Sequence, residues 1–80
     1  MPDTLERIKN VTADLLKVDI NSLEENSRFV EDLGAESIQS IELVAAFEEE
    51  FDIEMDEDAA LAVKSLGDAV KFVDDVLKQS

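Results

Sequence analysis

Ser37 is the residue whose type and position could do chemistry, because it follows a glycine-containing turn and precedes an apolar, acidic run. A serine at a helix start can act as an N-cap, since its hydroxyl accepts backbone N–H groups that the first turn leaves unpaired. It can also be modified: a phosphodiester on Ser37 would lie where those N–H groups and the helix dipole favour an anion. Glu36 opposes such an anion, so these residues alone leave both interpretations open.

Side chains that the common nucleophilic mechanisms need are missing from the sequence. It contains no His and no Cys, so Ser-His and Cys-His pairs cannot form. Zinc sites built on thiolate or imidazole are excluded as well, and Ser37 is not within a Gly-x-Ser-x-Gly elbow. A chain of this length buries only about 60% of its unfolded surface, which leaves little room for a catalytic cleft. We therefore expect a non-catalytic domain.

The charge is strongly acidic: 21 acidic residues against 7 basic ones give a net charge of −14. Twelve acidic residues and no basic residue lie between Phe29 and Val63. Nucleic acid and anionic membranes would repel such a surface, whereas protein partners with basic patches would be attracted. The N-terminal segment 1–7 has no apolar signal region, and no stretch is long enough to span a membrane. We expect a cytoplasmic monomer.

Helical periodicity predicts an all-α fold, a small four-helix bundle with a long loop after helix one and a short third helix. The whole chain, 1–80, is expected to form one domain. Helices are predicted at 4–17, 37–51, 57–62 and from an N-cap at Ser65 onward, with Asp3 and Asp56 as further cap residues. The predicted core comprises Leu5, Ile8, Val11 or Thr12, Leu15, Leu16, Leu23, Phe29, Val30, Leu33, Leu43, Val44, Phe47, Phe51, Leu66, Ala69, Val70, Val73 and Leu77.

The second predicted helix carries apolar residues on its outward face as well. Ile38, Ile41 and Ala45 fall there, among Glu42, Glu48 and Glu49. Single exposed apolar residues are common. A mixed apolar and acidic stripe beside Ser37 nevertheless favours a small docking surface.

A longer stretch around Ser37 resembles the acyl carrier protein family, whose motif is Asp-Leu-Gly-x-Asp-Ser-Leu followed by an acidic helix. Here the motif reads Asp32-Leu33-Gly34-Ala35-Glu36-Ser37-Ile38. Phe29-Val30-Glu31 before it, and residues 41–44, 47–51, 52–54 and 66–70 after it, continue the likeness. The resemblance covers essentially the whole chain.

The resemblance implies that a phosphopantetheinyl transferase attaches 4′-phosphopantetheine to Ser37. The thiol of that arm would carry acyl thioesters between enzymes of fatty-acid, lipid or polyketide-type synthesis, and those enzymes would present basic patches. The implied docking residues are Glu36, Ile38, Ile41, Glu42, Ala45, Glu48 and Glu49. The residues implied to shelter the acyl chain are Leu43, Val44, Phe47, Met55, Ala60 and Val63.

Several positions depart from the family pattern. Glu36 replaces the usual Asp, Ile38 the usual Leu, and Gln39 a commonly acidic residue. Phe47 stands where Leu is more frequent, and Met55-Asp56 where Ile-Pro is frequent. These differences favour a specialised carrier with a different or shorter acyl cargo, although Phe47 also fits simple core packing.

Two alternatives stay open at this point, and a calcium-binding loop is a third that the sequence disfavours. An aminoacyl or D-alanyl carrier would use the same arm, and an acidic interaction module would leave Ser37 unmodified. The spacing of Asp52, Glu54, Asp56 and Asp58 is similar to a calcium-binding EF-hand loop. The sixth loop position is not Gly and the twelfth is not Glu, so no metal site is predicted.

Overall fold

The computed structural model describes residues 3–79; Met1, Pro2 and Ser80 of the predicted domain lie outside the described residues. The elements are α1 at Thr4–Leu16, a 3-10 turn at Ile20–Ser22, α2 at Ser37–Phe51, α3 at Glu57–Ala62 and α4 at Leu66–Gln79. The predicted all-helical bundle, with its long first loop and short third helix, is confirmed.

Short polar side chains satisfy backbone N–H groups at the starts of three helices, and left-handed residues end two helices. Asp3, Asp56 and Ser65 each accept a backbone N–H from three residues further on, at 2.9, 2.7 and 3.2 Å. These are N-cap interactions, and they were predicted from the sequence. α1 and α2 end at Lys17 and Asp52, whose left-handed backbone (φ 57° and 54°) stops each helix.

The core lies among α1, α2, α4 and the long loop. Its buried apolar members are Ile8, Leu23, Phe29, Ala35, Leu43, Phe47, Phe51, Met55, Leu66, Ala69 and Val73. Of the pair Val11 and Thr12, it is Thr12 that is fully buried. Two predicted core residues are wrong: Val30 is 59% exposed, and Leu77 is 43% exposed. Leu77 lies in the last turn of α4, close to the end of that helix.

Polar contacts join α1 to both of its long neighbours. The Thr4 hydroxyl donates to Asp74 of α4 at 2.7 Å. Arg7 donates to the Glu50 carboxylate at 2.8 Å and to the Glu50 carbonyl at 2.6 Å. The same guanidinium lies 4.4 Å from the centre of the Phe51 ring. Arg7 therefore satisfies a terminal carbonyl of α2 and covers an aromatic core residue.

The long loop is tied to the connection between α3 and α4. The backbone N–H of Phe29 donates to the Lys64 carbonyl at 3.0 Å, and that of Leu66 donates to the Ser27 carbonyl at 3.1 Å. The N–H of Gly67 donates to the carbonyl of Glu25 at 2.7 Å. These bonds hold one end of α3 beside the segment that leads to Ser37.

Candidate functional site

A compact turn immediately precedes the start of α2 at Ser37. The backbone N–H of Ala35 donates to the Phe29 carbonyl at 2.8 Å, and that of Gly34 donates to the Val30 carbonyl at 3.1 Å. Gly34 has φ 73°, a left-handed conformation that glycine adopts without strain, and open space surrounds the place of its missing side chain. Ala35 is buried and anchors the turn. The turn thus fixes where α2 begins.

Ser37 is the first residue of α2, and the N-cap position belongs to Glu36. The interpretation of Ser37 as an N-cap is therefore wrong. The backbone N–H of Glu36 donates to the Gln39 side chain at 2.9 Å, which steadies this first turn. Ser37 is exposed, and its hydroxyl makes no hydrogen bond to any of residues 3–79. A reagent can therefore reach this hydroxyl without breaking an internal contact.

A carboxylate just before the turn is held in its charged form. Asp32 accepts a hydrogen bond from the backbone N–H of Arg28 at 2.8 Å. This bond, together with the nearby Arg28 guanidinium, lowers the pKa of Asp32 below its ordinary value of 3.8. Asp32 and Glu36 are both exposed, so the surface that approaches Ser37 carries negative charge.

The outward face of α2 is apolar and acidic, as the periodicity predicts. Ile38 is 63% exposed and Ile41 is 70% exposed. Glu36, Glu42, Ala45 and Glu49 are exposed as well. Glu48 differs from the other predicted docking residues: it is half-buried, and its carboxylate accepts the Met55 backbone N–H at 3.1 Å. Glu48 thereby holds the connection between α2 and α3.

A cavity of about 320 Å³, here called the inner cavity, lies between α2 and α3. It is lined by Arg28, Phe29, Val30, Glu31, Ser40, Leu43, Val44, Phe47, Ala60, Leu61, Val63 and Lys64. Five of the six residues predicted to shelter a chain are among them. The sixth, Met55, is buried in the core instead and does not line this space.

A surface depression beside Ser37, here called the Ser37 groove, connects Ser37 to the inner cavity. The groove is lined by Val30, Ala35, Glu36, Ser37, Ser40, Ile41, Val44, Ala60 and Leu61. Five of these residues, Val30, Ser40, Val44, Ala60 and Leu61, also line the inner cavity. An apolar path therefore leads from the Ser37 hydroxyl into the space between α2 and α3.

Sequence reasoning missed Leu61, which is 70% exposed and lines both spaces. The available signal was that Leu61 is the only large apolar residue of α3.

On the core side of the cavity, Phe29 and Phe47 are buried with ring centres 6.0 Å apart and planes tilted by 46°. This aromatic pair fixes that wall.

The site thus combines an exposed, unbonded serine hydroxyl at a helix N-terminus with a groove that leads to an apolar cavity. Residues 6–73 match the family described as "Phosphopantetheine attachment site". The fold is also similar to a Mycobacterium tuberculosis protein assigned as an acyl carrier protein, with TM-score 0.84 and 29% identity. That match covers 91% of this chain and 97% of the other.

The chain belongs to the acyl carrier protein family, and its covalent cofactor is 4′-phosphopantetheine. The residues present fit this group, since a free hydroxyl, first-turn N–H groups and an apolar groove meet at one place.

Among residues 3–79, no helix has the length and apolarity to cross a membrane. The same residues contain no group of three or more acidic side chains placed to hold a metal ion.

Proposed function

We propose that Ser37 is the attachment residue and that the chain is a non-catalytic acyl carrier. The observation that carries this proposal is the free Ser37 hydroxyl, exposed at the first position of α2 and opening on the apolar path to the inner cavity. The thiol of the attached arm supplies the thioester chemistry. The protein's own residues position the arm, shelter its cargo and present the complex to partner enzymes.

The start of α2 would hold the phosphodiester of the arm. The first backbone N–H groups of a helix have no carbonyl one turn earlier, and the helix dipole adds partial positive charge there. The Gln39 side chain accepts the N–H of Glu36 and leaves those of Ser37 and Ile38 for the phosphate. This arrangement offsets the repulsion from the neighbouring Glu36 carboxylate.

The inner cavity would shelter the acyl chain from water. Its volume of about 320 Å³ is at the low end of the range for ligand pockets. The tilted Phe29 and Phe47 rings close its core side. The aromatic wall supports a short acyl chain in a specialised carrier, because it limits how deep a chain can enter from the Ser37 groove. The mainly apolar lining supports acyl cargo over an aminoacyl group. Its charged members are two cations, Arg28 and Lys64, and one anion, Glu31, which already pairs with Arg28, so an ammonium would meet no free partner there.

The outward face of α2 would dock partner enzymes of fatty-acid, lipid or polyketide-type synthesis. Exposed carboxylates of Glu36, Glu42 and Glu49 would steer basic patches, and Ile38 and Ile41 would add apolar contact. Glu48 would contribute to docking indirectly, because its bond to the Met55 backbone fixes the connection between α2 and α3. The monomeric state and the cytoplasmic location stay predictions from composition.

The attachment site is tested by incubating the chain with coenzyme A and a broad-specificity phosphopantetheinyl transferase, followed by intact-mass measurement. We expect one phosphopantetheine adduct on the natural sequence and none on Ser37→Ala. Ser40→Ala is the matched control, since it removes a hydroxyl one turn further along α2 and should still be loaded. An unmodified natural chain, or an adduct on Ser37→Ala, would show that the proposal is wrong.

The docking surface is tested by the loading rate at different salt concentrations. Glu42→Gln should lower kcat/KM for the transferase several-fold at low salt, and the difference should shrink at high salt because charges are screened. Glu6→Gln, which removes an exposed carboxylate from α1, should leave the rate unchanged. Equal effects of both variants would rule out a specific role for α2.

A further inference from the structure

The inner cavity has a basic edge, formed by Arg28 and Lys64. We propose that this edge binds an anionic group, specifically a carboxylate, at the far end of the acyl cargo. The inference rests on the proposed function, because it concerns a chain attached through Ser37. It assigns to this carrier a cargo class, acyl chains derived from dicarboxylic acids.

The fold brings the two bases together from distant parts of the chain. Arg28 immediately precedes the base-free acidic stretch and Lys64 immediately follows it. Arg28 forms an antiparallel bridge with Ser65, and the neighbouring Phe29 N–H donates to the Lys64 carbonyl at 3.0 Å. These contacts hold the backbones of both residues at one edge of the cavity, and both residues are part of its lining.

The two bases differ in how their charges are used. The Arg28 guanidinium pairs with Glu31 and with Asp32, the latter at 3.4 Å. The Lys64 ammonium makes no ion pair with any residue in the described part of the chain. The cavity lining holds two cations and one anion, Glu31, within a protein of net charge −14. Lys64 is therefore the cation available to a ligand.

The basic edge lies away from the attachment point. Neither Arg28 nor Lys64 lines the Ser37 groove, whereas Val44 and Ala60 line both spaces. A chain that enters from Ser37 passes the apolar residues first and reaches the bases with its free end. A carboxylate in an apolar cavity needs a partner charge, since burial without one is costly. Lys64 supplies that charge where the far end of the cargo lies.

The experiment loads Ser37 with arms carrying either a hexanoyl or an adipoyl thioester, which have the same chain length but end in methyl and carboxylate. Thioester cleavage by hydroxylamine reports how well each cargo is sheltered. In Lys64→Gln, the adipoyl thioester should be cleaved about two- to fivefold faster than in the natural chain, the range for an exposed ion pair. The hexanoyl thioester should be cleaved at an unchanged rate. Lys64→Arg should restore protection.

Lys71→Gln is the control, because Lys71 is an exposed base on α4 outside the cavity lining. It should change neither rate, and a melting curve verifies that each variant is folded. Mass measurement verifies loading beforehand: if Ser37 takes no arm, the proposed function itself fails. If loading succeeds and Lys64→Gln changes both cleavage rates equally or neither, only the carboxylate inference is overturned. The inference would also be overturned if Lys64→Gln weakened only the binding of an acidic partner protein and left both cleavage rates unchanged, because Lys64 would then contact a protein and not the cargo.

Discussion

Replacing Thr12 by valine should stabilise the domain. Thr12 is fully buried in the core, and its hydroxyl has no hydrogen-bond partner among residues 3–79. A buried polar group without a partner costs roughly 1–3 kcal/mol. Valine has nearly the same shape and a similar helix propensity. Thr12→Val should therefore raise the free energy of unfolding by about 1–2 kcal/mol, with the packing against its neighbours retained.

Urea unfolding at constant salt measures this change, and Tm should rise by about 4–8 °C for each kcal/mol. Thr4→Val is the matched control, because the Thr4 hydroxyl donates to Asp74 at 2.7 Å. That variant should lose about 1 kcal/mol, since it removes a hydrogen bond instead of an unpaired group. A neutral or destabilising Thr12→Val with an unchanged m-value would refute the reasoning, because it would mean that the hydroxyl is satisfied.

Four further predictions concern stability. Gly67→Ala should cost about 1 kcal/mol in urea unfolding, because the added Cβ would lie 3.0 Å from the Glu25 carbonyl; an unchanged midpoint would contradict the tight contact. Arg7→Met should cost about 1 kcal/mol through the lost Glu50 and ring contacts, and Arg7→Lys should recover only part of it. The Asp32 carboxyl should titrate below 3.8 by NMR, so its stabilising effect is present above that pH and is lost as the pH falls through the lowered pKa; an ordinary or raised pKa would count against this. Added salt or magnesium should raise Tm by screening carboxylate repulsion, and a flat response would argue against that strain.

Local patterns in the sequence were sufficient to predict the elements. Apolar spacing placed α2, and the cap residues Asp3, Asp56 and Ser65 marked the starts of the other helices, because capping depends on residues three positions apart. The start of α2 shows the limit of such reasoning. Ser37 and Glu36 can both occupy an N-cap position, and the choice depends on the turn before them. Here the buried Ala35 and the left-handed Gly34 set the register.

Contacts between distant segments could not be predicted. The bridge between Arg28 and Ser65 joins two segments whose pairing has no periodic signal, so the basic edge of the inner cavity was not found. Val30 fits an apolar anchor in the sequence, yet the turn directs it toward the Ser37 groove. The role of Glu48 likewise depends on where the Met55 backbone lies. Each case requires knowledge of how loops pack.

Different helices supply the buried core and one wall of the inner cavity. The largest fully buried side chains, Ile8, Thr12, Phe47, Leu66 and Val73, come from α1, α2 and α4, and none comes from α3. α3 nevertheless contributes Ala60 and Leu61 to the wall of the inner cavity. Substitutions at Ala60 or Leu61 would therefore change the shape of the cavity at a small cost in folding free energy. Phe29, Leu43 and Phe47 line the same cavity from within the core, so substitutions there would change its shape and the stability of the fold together.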